Sequence, residues 1–188
     1  MSDSSSHSCR QYRHIVLIGL MGCGKTTIGR ELERTMDLPF SDTDQVIESQ
    51  MGMSISSIFE QFGESHFRGL ETEVLRSYFL QPDGKSLIIS TGGGIVISPE
   101  NREMMRQMGF VVWLSADTST LLQRVSRNEN RPLLHNANPE ETLARLFEER
   151  KAFYSETAHL SIDTTNLTIW EIAFGIMESA RVFFHRES

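Results

Sequence analysis

Ile15-Val16-Leu17-Ile18-Gly19-Leu20-Met21-Gly22-Cys23-Gly24-Lys25-Thr26-Thr27-Ile28 is the stretch that decides the fold. An apolar run stops at a glycine-rich turn, and the helical pattern Thr27-Ile28-Gly29-Arg30-Glu31-Leu32 follows at once. Gly19 to Thr26 match G-x-x-x-x-G-K-[ST] in the strand-to-helix context that gives the motif its meaning. Glycines let successive backbone N–H groups turn inward around phosphate oxygens at a helix N-terminus, where the dipole also favours negative charge. Lys25 adds a cation toward the β and γ phosphates of a nucleotide, and the Thr26 hydroxyl suits a Mg²⁺ ligand position. Gly22, Cys23, Gly24, Lys25, Thr26 and Thr27 are therefore the expected nucleotide-binding residues.

Outward from this loop, short apolar runs alternate with helical patterns. Strands are expected at His14 to Gly19, Pro39 to Ser41, Ser86 to Ser90, Phe110 to Leu114 and Leu160 to Asp163. Such alternation means an α/β fold, a parallel sheet with helices on both faces. Ser98-Pro99 and Asn138-Pro139 each supply a cap followed by proline at the first helical position. Residues 1–12 read as a disordered polar tail, and 13–185 as a single domain carrying a lid at about 125–138. Arg10 and Arg13 before the apolar run imitate a signal peptide, but no small-residue cleavage site follows.

Composition narrows the functions open to the chain. Its 188 residues carry 18 Lys+Arg against 25 Asp+Glu, a net charge of −7, which argues against nonspecific binding of nucleic acid or anionic lipid. No stretch reads as membrane-spanning. The two cysteines, Cys9 and Cys23, make no disulfide framework, and the six histidines show no paired metal-ligand spacing.

Four further groups point to a second ligand. Phe40-Ser41-Asp42-Thr43-Asp44 places two carboxylates at a strand end beside the phosphate loop, where ligands bind in open α/β sheets; strand alternation would aim both to one side. The same pair also suits a cap on the helix Gln45 to Gln50. Gly63 to Glu71 lie on a helix with the apolar stripe Phe67, Leu70, Val74, Leu75, Tyr78, and Glu71 falls on it with Arg68 three residues earlier as its partner; an exposed ion pair is the alternative. On the helix Pro139 to Thr157, Arg150 takes an inward position among Leu143, Leu146, Phe147, Phe153 and Tyr154, so an anion must meet it. Arg68 and Arg150 together suit a carboxylate. Gly92-Gly93-Gly94 lets backbone approach a ligand closely, and Arg124, Arg127 and Arg131 lead into Pro132-Leu133-Leu134-His135-Asn136, a lid-like basic stretch. With no base-reading N-K-x-D and no D-x-x-G, a small-molecule kinase is favoured over a GTPase.

In order and spacing, these motifs resemble the shikimate kinases of the nucleoside monophosphate kinase superfamily, from Ile15 to about Ile176 and including Arg131-Pro132-Leu133-Leu134 and Arg150 with Tyr154. The resemblance implies a three-layer α/β/α P-loop kinase with a five-stranded parallel sheet in the order 2-3-1-4-5. It implies Mg²⁺-dependent transfer of the ATP γ-phosphoryl group to the 3-hydroxyl of shikimate, giving shikimate 3-phosphate and ADP in aromatic amino-acid biosynthesis in the cytoplasm. By position, Asp44 resembles the residue that holds the shikimate hydroxyls and takes the proton, and Asp42 with Thr26 the group that orders Mg²⁺. Arg68, Arg150 and the backbone at Gly92, Gly93 and Gly94 resemble the shikimate-binding groups, with Glu71 fixing Arg68. Lys25 and Arg131 resemble the catalytic cations over the phosphates, and Arg124 the arginine that stacks on adenine. The loop Thr164-Thr165-Asn166-Leu167 lacks a proline seen in some relatives. A kinase of another polyol acid such as gluconate, and a nucleotide-binding regulator without turnover, are the competing readings. With no obvious exposed apolar helix, a monomer is expected.

Overall fold

β1 (His14–Ile18) is buried along its whole length and lies in the middle of the sheet, as an apolar run covered on both faces must. The computed structural model describes residues 14–80, 85–125 and 138–186; the expected tail and lid, with Arg127, Arg131 and His135, lie outside them. After β1 come α1 (Lys25–Met36), β2 (Phe40–Asp42), α2 (Thr43–Met51), α3 (Ile55–Phe79) and β3 (Ile88–Ser90). A short 3₁₀ turn (Ile95–Ile97) leads to α4 (Pro99–Met108), β4 (Gly109–Ser115), α5 (Thr118–Val125), α6 (Pro139–Thr157), β5 (Leu160–Asp163) and α7 (Ile169–Arg186). All five strands pair in parallel in the order β2-β3-β1-β4-β5, with Val16 between Ile89 and Val111. This is the expected 2-3-1-4-5 sheet.

Parallel strands require crossovers, and the helices supply them: α1 packs beside α7, while α4 packs beside α3 and α6. Both proline-led starts behave as expected, since Ser98 accepts the Asn101 N–H and Asn138 accepts the Glu141 N–H. Two expectations need correction. Gly63, expected as an ordinary helical position, is non-helical and kinks α3, with φ of 79° and ψ of 170°. Nor is an exposed apolar helix face lacking, since Trp170 (63% exposed) stacks on Phe174 along α7. The premise for a monomer therefore does not hold. Among the described residues, no helix is long and apolar enough to cross a membrane.

Candidate active site

The phosphate loop closes between β1 and α1 in backbone conformations that side chains resist. Gly22 (φ 84°) and Gly24 (φ 97°) are left-handed, and a Cβ on Gly22 would sit 2.8 Å from Val125 Cγ2. Lys25 opens α1, and its Nζ donates to Gly19 O at 2.8 Å and Leu20 O at 2.9 Å, with Cys23 Sγ 3.6 Å away. The ammonium thus lies in the mouth of the loop, held by neutral carbonyls.

Asp42 joins this loop to the second strand. Its Oδ2 accepts the Thr26 hydroxyl at 2.9 Å, and its Oδ1 accepts the Asp44 N–H at 3.1 Å. The capping reading of Asp42 is thus met by Oδ1, while Oδ2 lies against Thr26, the other residue expected at the metal. Strand alternation does not bring Asp44 beside it, because β2 ends at Asp42 and Asp44 is already in the first turn of α2. Thr43, buried between them, accepts the Gly92 N–H at 3.1 Å. Thr26 and Asp42 offer hard oxygens side by side at the phosphate loop. That donor set fits Mg²⁺, which keeps several waters and takes one or two protein oxygens besides phosphate.

The glycine triplet is where the expected acceptor groups converge. A Cβ on Gly92 would sit 2.5 Å from Glu71 Oε1 and 2.9 Å from Asp44 Oδ1, and one on Gly94 would overlap the Arg68 guanidinium. The missing side chains at Gly92 and Gly94 thus also make room for protein groups, Glu71 with Asp44 and Arg68 respectively. Glu71 is fully buried on α3; its Oε2 accepts Arg68 Nη1 at 2.7 Å, while Oε1 has no hydrogen-bond partner among the described residues. Burial pushes the Glu71 carboxyl up to about 7; Arg68 pulls it down most, Asp44 pushes it up and Arg150 pulls it down. Arg68 is also held by Glu64 at 2.8 Å. Arg150 is 5% exposed, as its inward position on α6 requires, and its Nη1 donates to Gly93 O at 3.1 Å. The same carbonyl accepts the Tyr154 hydroxyl at 2.5 Å.

On the other side of the loop, Arg124 donates from Nη1 to Thr164 Oγ1 and from Nη2 to Thr164 O, both at 3.0 Å. A cavity of about 420 Å³ is lined by the phosphate loop from Gly22 to Thr27, by Asp42, Asp44, Gly93 and Arg124, and by the apolar wall Leu167, Ile169 and Ile172. Arg68, Glu71, Gly92, Gly94 and Arg150 lie outside that lining and reach it through Gly93 and Asp44. Sequence reading assigned no role to Thr43, Tyr154 or Thr164. Each adjoins a residue that reading did single out: Thr43 between the aspartates, Tyr154 one helical turn after Arg150, and Thr164 at the start of the loop after the last strand.

Known proteins are similar to this chain over most of its length. A relative from Bartonella quintana named shikimate kinase is 38% identical over 175 residues, covering 93% of this chain and 81% of that relative. Another, from Xanthomonas axonopodis pv. citri, is 44% identical over 155 residues, covering 82% of this chain and 84% of its own. The solved shikimate kinase from Acinetobacter baumannii in complex with shikimate superposes with a TM-score of 0.84 at 40% identity, over 90% of this chain and 93% of that one. The shikimate kinase family model itself matches residues 21–181, and with that match the chain belongs to the shikimate kinase family.

Proposed function

We propose that the chain transfers the γ-phosphoryl group of ATP to the 3-hydroxyl of shikimate, releasing ADP and shikimate 3-phosphate for aromatic amino-acid synthesis in the cytoplasm. The observation that carries this reading is that one cavity wall joins Lys25 and Thr26 to Asp42, Asp44 and Gly93, so a phosphate donor and a hydroxyl acceptor meet there. The relative solved with shikimate supports the choice of acceptor. Thr26 and Asp42 are the residues that would hold Mg²⁺, which when bound would supply charge neutralisation for the phosphates.

The chain's own groups then divide the work. Lys25 exchanges two neutral carbonyls for phosphate oxygens, a stronger charge-assisted bond. Asp44, on the cavity wall, orients the acceptor hydroxyl and takes its proton at the carboxylate as the phosphoryl group arrives. Arg150, with the guanidinium N–H groups not taken by Gly93 and Tyr154, and Arg68 bind the acceptor's carboxylate. Arg124, clamped flat by Thr164, faces the adenine. ADP release measured with and without shikimate tests the reading: turnover should require both shikimate and Mg²⁺. Equal ADP release without shikimate refutes it.

A further inference from the structure

We propose that Tyr154 is a positioning residue for the acceptor: its hydroxyl, acting through the Gly93 carbonyl, sets the glycine triplet and the Arg150 guanidinium in the geometry that receives the substrate. This deepens the reading of the chain as a shikimate kinase and rests on it. Three consecutive glycines have the greatest backbone freedom a chain can have, so groups outside the triplet must hold it. The Gly92 N–H is taken by Thr43 and the Gly92 carbonyl by the Ile95 N–H at 3.2 Å. The Gly94 carbonyl accepts the Ile97 N–H at 3.0 Å. Gly93, the member of the triplet on the cavity wall, is held among the described residues from α6, where its carbonyl accepts Tyr154 at 2.5 Å and Arg150 at 3.1 Å.

A trans peptide points its N–H opposite to its carbonyl. Tying the carbonyls of Gly92 and Gly93 to the protein therefore directs the N–H groups of Gly93 and Gly94 the other way. The shorter of the two bonds on Gly93 comes from the phenol, which is rigid: its ring is fully buried and stacks on Trp113 with centroids 5.7 Å apart. Burial also holds the phenol above its ordinary pKa, so the donated proton is always present. Arg150 shares the acceptor one helical turn earlier. Because the carbonyl has two lone pairs, the hydroxyl fixes where the guanidinium docks and which of its N–H groups stay turned to a ligand.

Tyr154→Phe keeps the ring and removes only the donor. In steady-state kinetics on the full chain, the shikimate KM should rise about 10-fold, the worth of one hydrogen bond. The kcat should fall less than about 3-fold and the ATP KM should stay within about 2-fold. Combining it with Arg150→Lys should raise the shikimate KM little beyond the worse single variant, because both act on one carbonyl. An unchanged shikimate KM, an equal rise for both substrates, multiplying losses in the double variant, or a Tyr154→Phe chain that fails to fold would each overturn the proposal. If the wild type shows no shikimate-dependent turnover, the functional reading itself fails, a result separate from any behaviour of the variant.

Discussion

Gly94→Ala tests whether the acceptor side works as the geometry says. The new methyl would overlap Nη1, Nη2 and Cζ of Arg68, while the backbone at position 94 needs no positive φ and accepts alanine. The guanidinium must withdraw by about 1 Å or more to regain ordinary contact. That movement breaks the 2.7 Å bond to Glu71 and leaves a fully buried carboxylate without its partner. Orphaning such a charge costs about 3–5 kcal/mol when it must stay ionised. Glu71 has an escape, because its carboxyl already titrates at about 7 and takes up a proton once Arg68 leaves. The stability loss should therefore be about 1–3 kcal/mol near neutrality. It should also depend on pH with a defined sign. A folded-state carboxyl pKa above the unfolded value takes stability away as pH rises toward it. Losing Arg68 raises that pKa further, so the variant's deficit should be larger at pH 8 than at pH 6. Shikimate affinity should fall about 10- to 100-fold, the worth of one charge-assisted bond to a carboxylate. Calorimetric titration with shikimate and thermal melts at both pH values read the two effects. Gly69→Ala is the control, since nothing lies within 4 Å of its Cβ, and a helical alanine there should stabilise by up to about 1 kcal/mol. Unchanged shikimate affinity in Gly94→Ala, or a stability deficit that shrinks as pH rises, would refute the reasoning.

Other variants probe the remaining groups. Asp44→Asn should lower kcat by about 10²- to 10⁴-fold while sparing ATP affinity, and a loss under about 10-fold would reduce Asp44 to positioning, as a loose phosphoryl-transfer transition state permits. Arg150→Lys keeps the charge but loses the planar fork, so shikimate binding should weaken by about 1–3 kcal/mol by calorimetry with ATP affinity unmoved. Thr164→Val removes the hydroxyl that accepts Arg124, and the ATP KM should rise about 5-fold with the shikimate KM unchanged; the reverse pattern would put Arg124 on the wrong ligand. His14, buried and accepting the Leu87 N–H at Nδ1, has its pKa pushed down by burial to about 4. The unfolded chain therefore takes up a proton that the folded ring declines, and stability present above pH 6.5 falls by up to about 3 kcal/mol as pH drops from 6.5 toward 4. Urea unfolding of His14→Asn should lack that part of the acid loss.

Where periodicity and local chemistry agreed, the fold was legible. β1 reads as a buried parallel strand because it is apolar on both faces, and α6 runs from Pro139 to Thr157 as its cap and stripe dictate. Gly63 was misread because helical periodicity continues through it: Phe59 and Phe67 still pack ring to ring across the kink, at 4.8 Å. The position of Asp44 was legible but the reason was not. The chain turns from β2 into α2 within one residue, so helical geometry replaces the pleat and the strand rule stops at Asp42. Tyr154 reads as one more apolar-stripe residue because its hydroxyl's partner lies 61 positions away in a loop. No local pattern carries that information.

Arg150 shows how the site handles charge in a chain whose net charge is −7 and whose substrates are anions. Global charge of that sign would slow the approach of ATP and of a carboxylate if it acted over the whole surface. Surface charges more than about 8–10 Å away are screened at physiological salt, whereas a buried pair keeps most of its field. The cations sit accordingly. Arg150 is nearly inaccessible, Arg68 is held against a fully buried glutamate, and Lys25 is enclosed by its own loop. Each is near a carboxylate or carbonyl that an incoming anion complements or displaces, so Asp44 and Glu71 balance Arg68 and Arg150 across the triplet before any ligand arrives. An acceptor carboxylate then adds a negative charge to a cluster in which Arg68 and Arg150 already face Asp44, Glu71 and, at its exposed rim, Glu64. Uptake of a proton by Glu71, whose carboxyl already titrates near 7, offsets it. Acceptor binding near neutral pH should therefore be accompanied by proton uptake. Calorimetry in buffers of different ionisation enthalpy measures that uptake directly, and a binding heat independent of the buffer would show that Glu71 stays in one protonation state throughout.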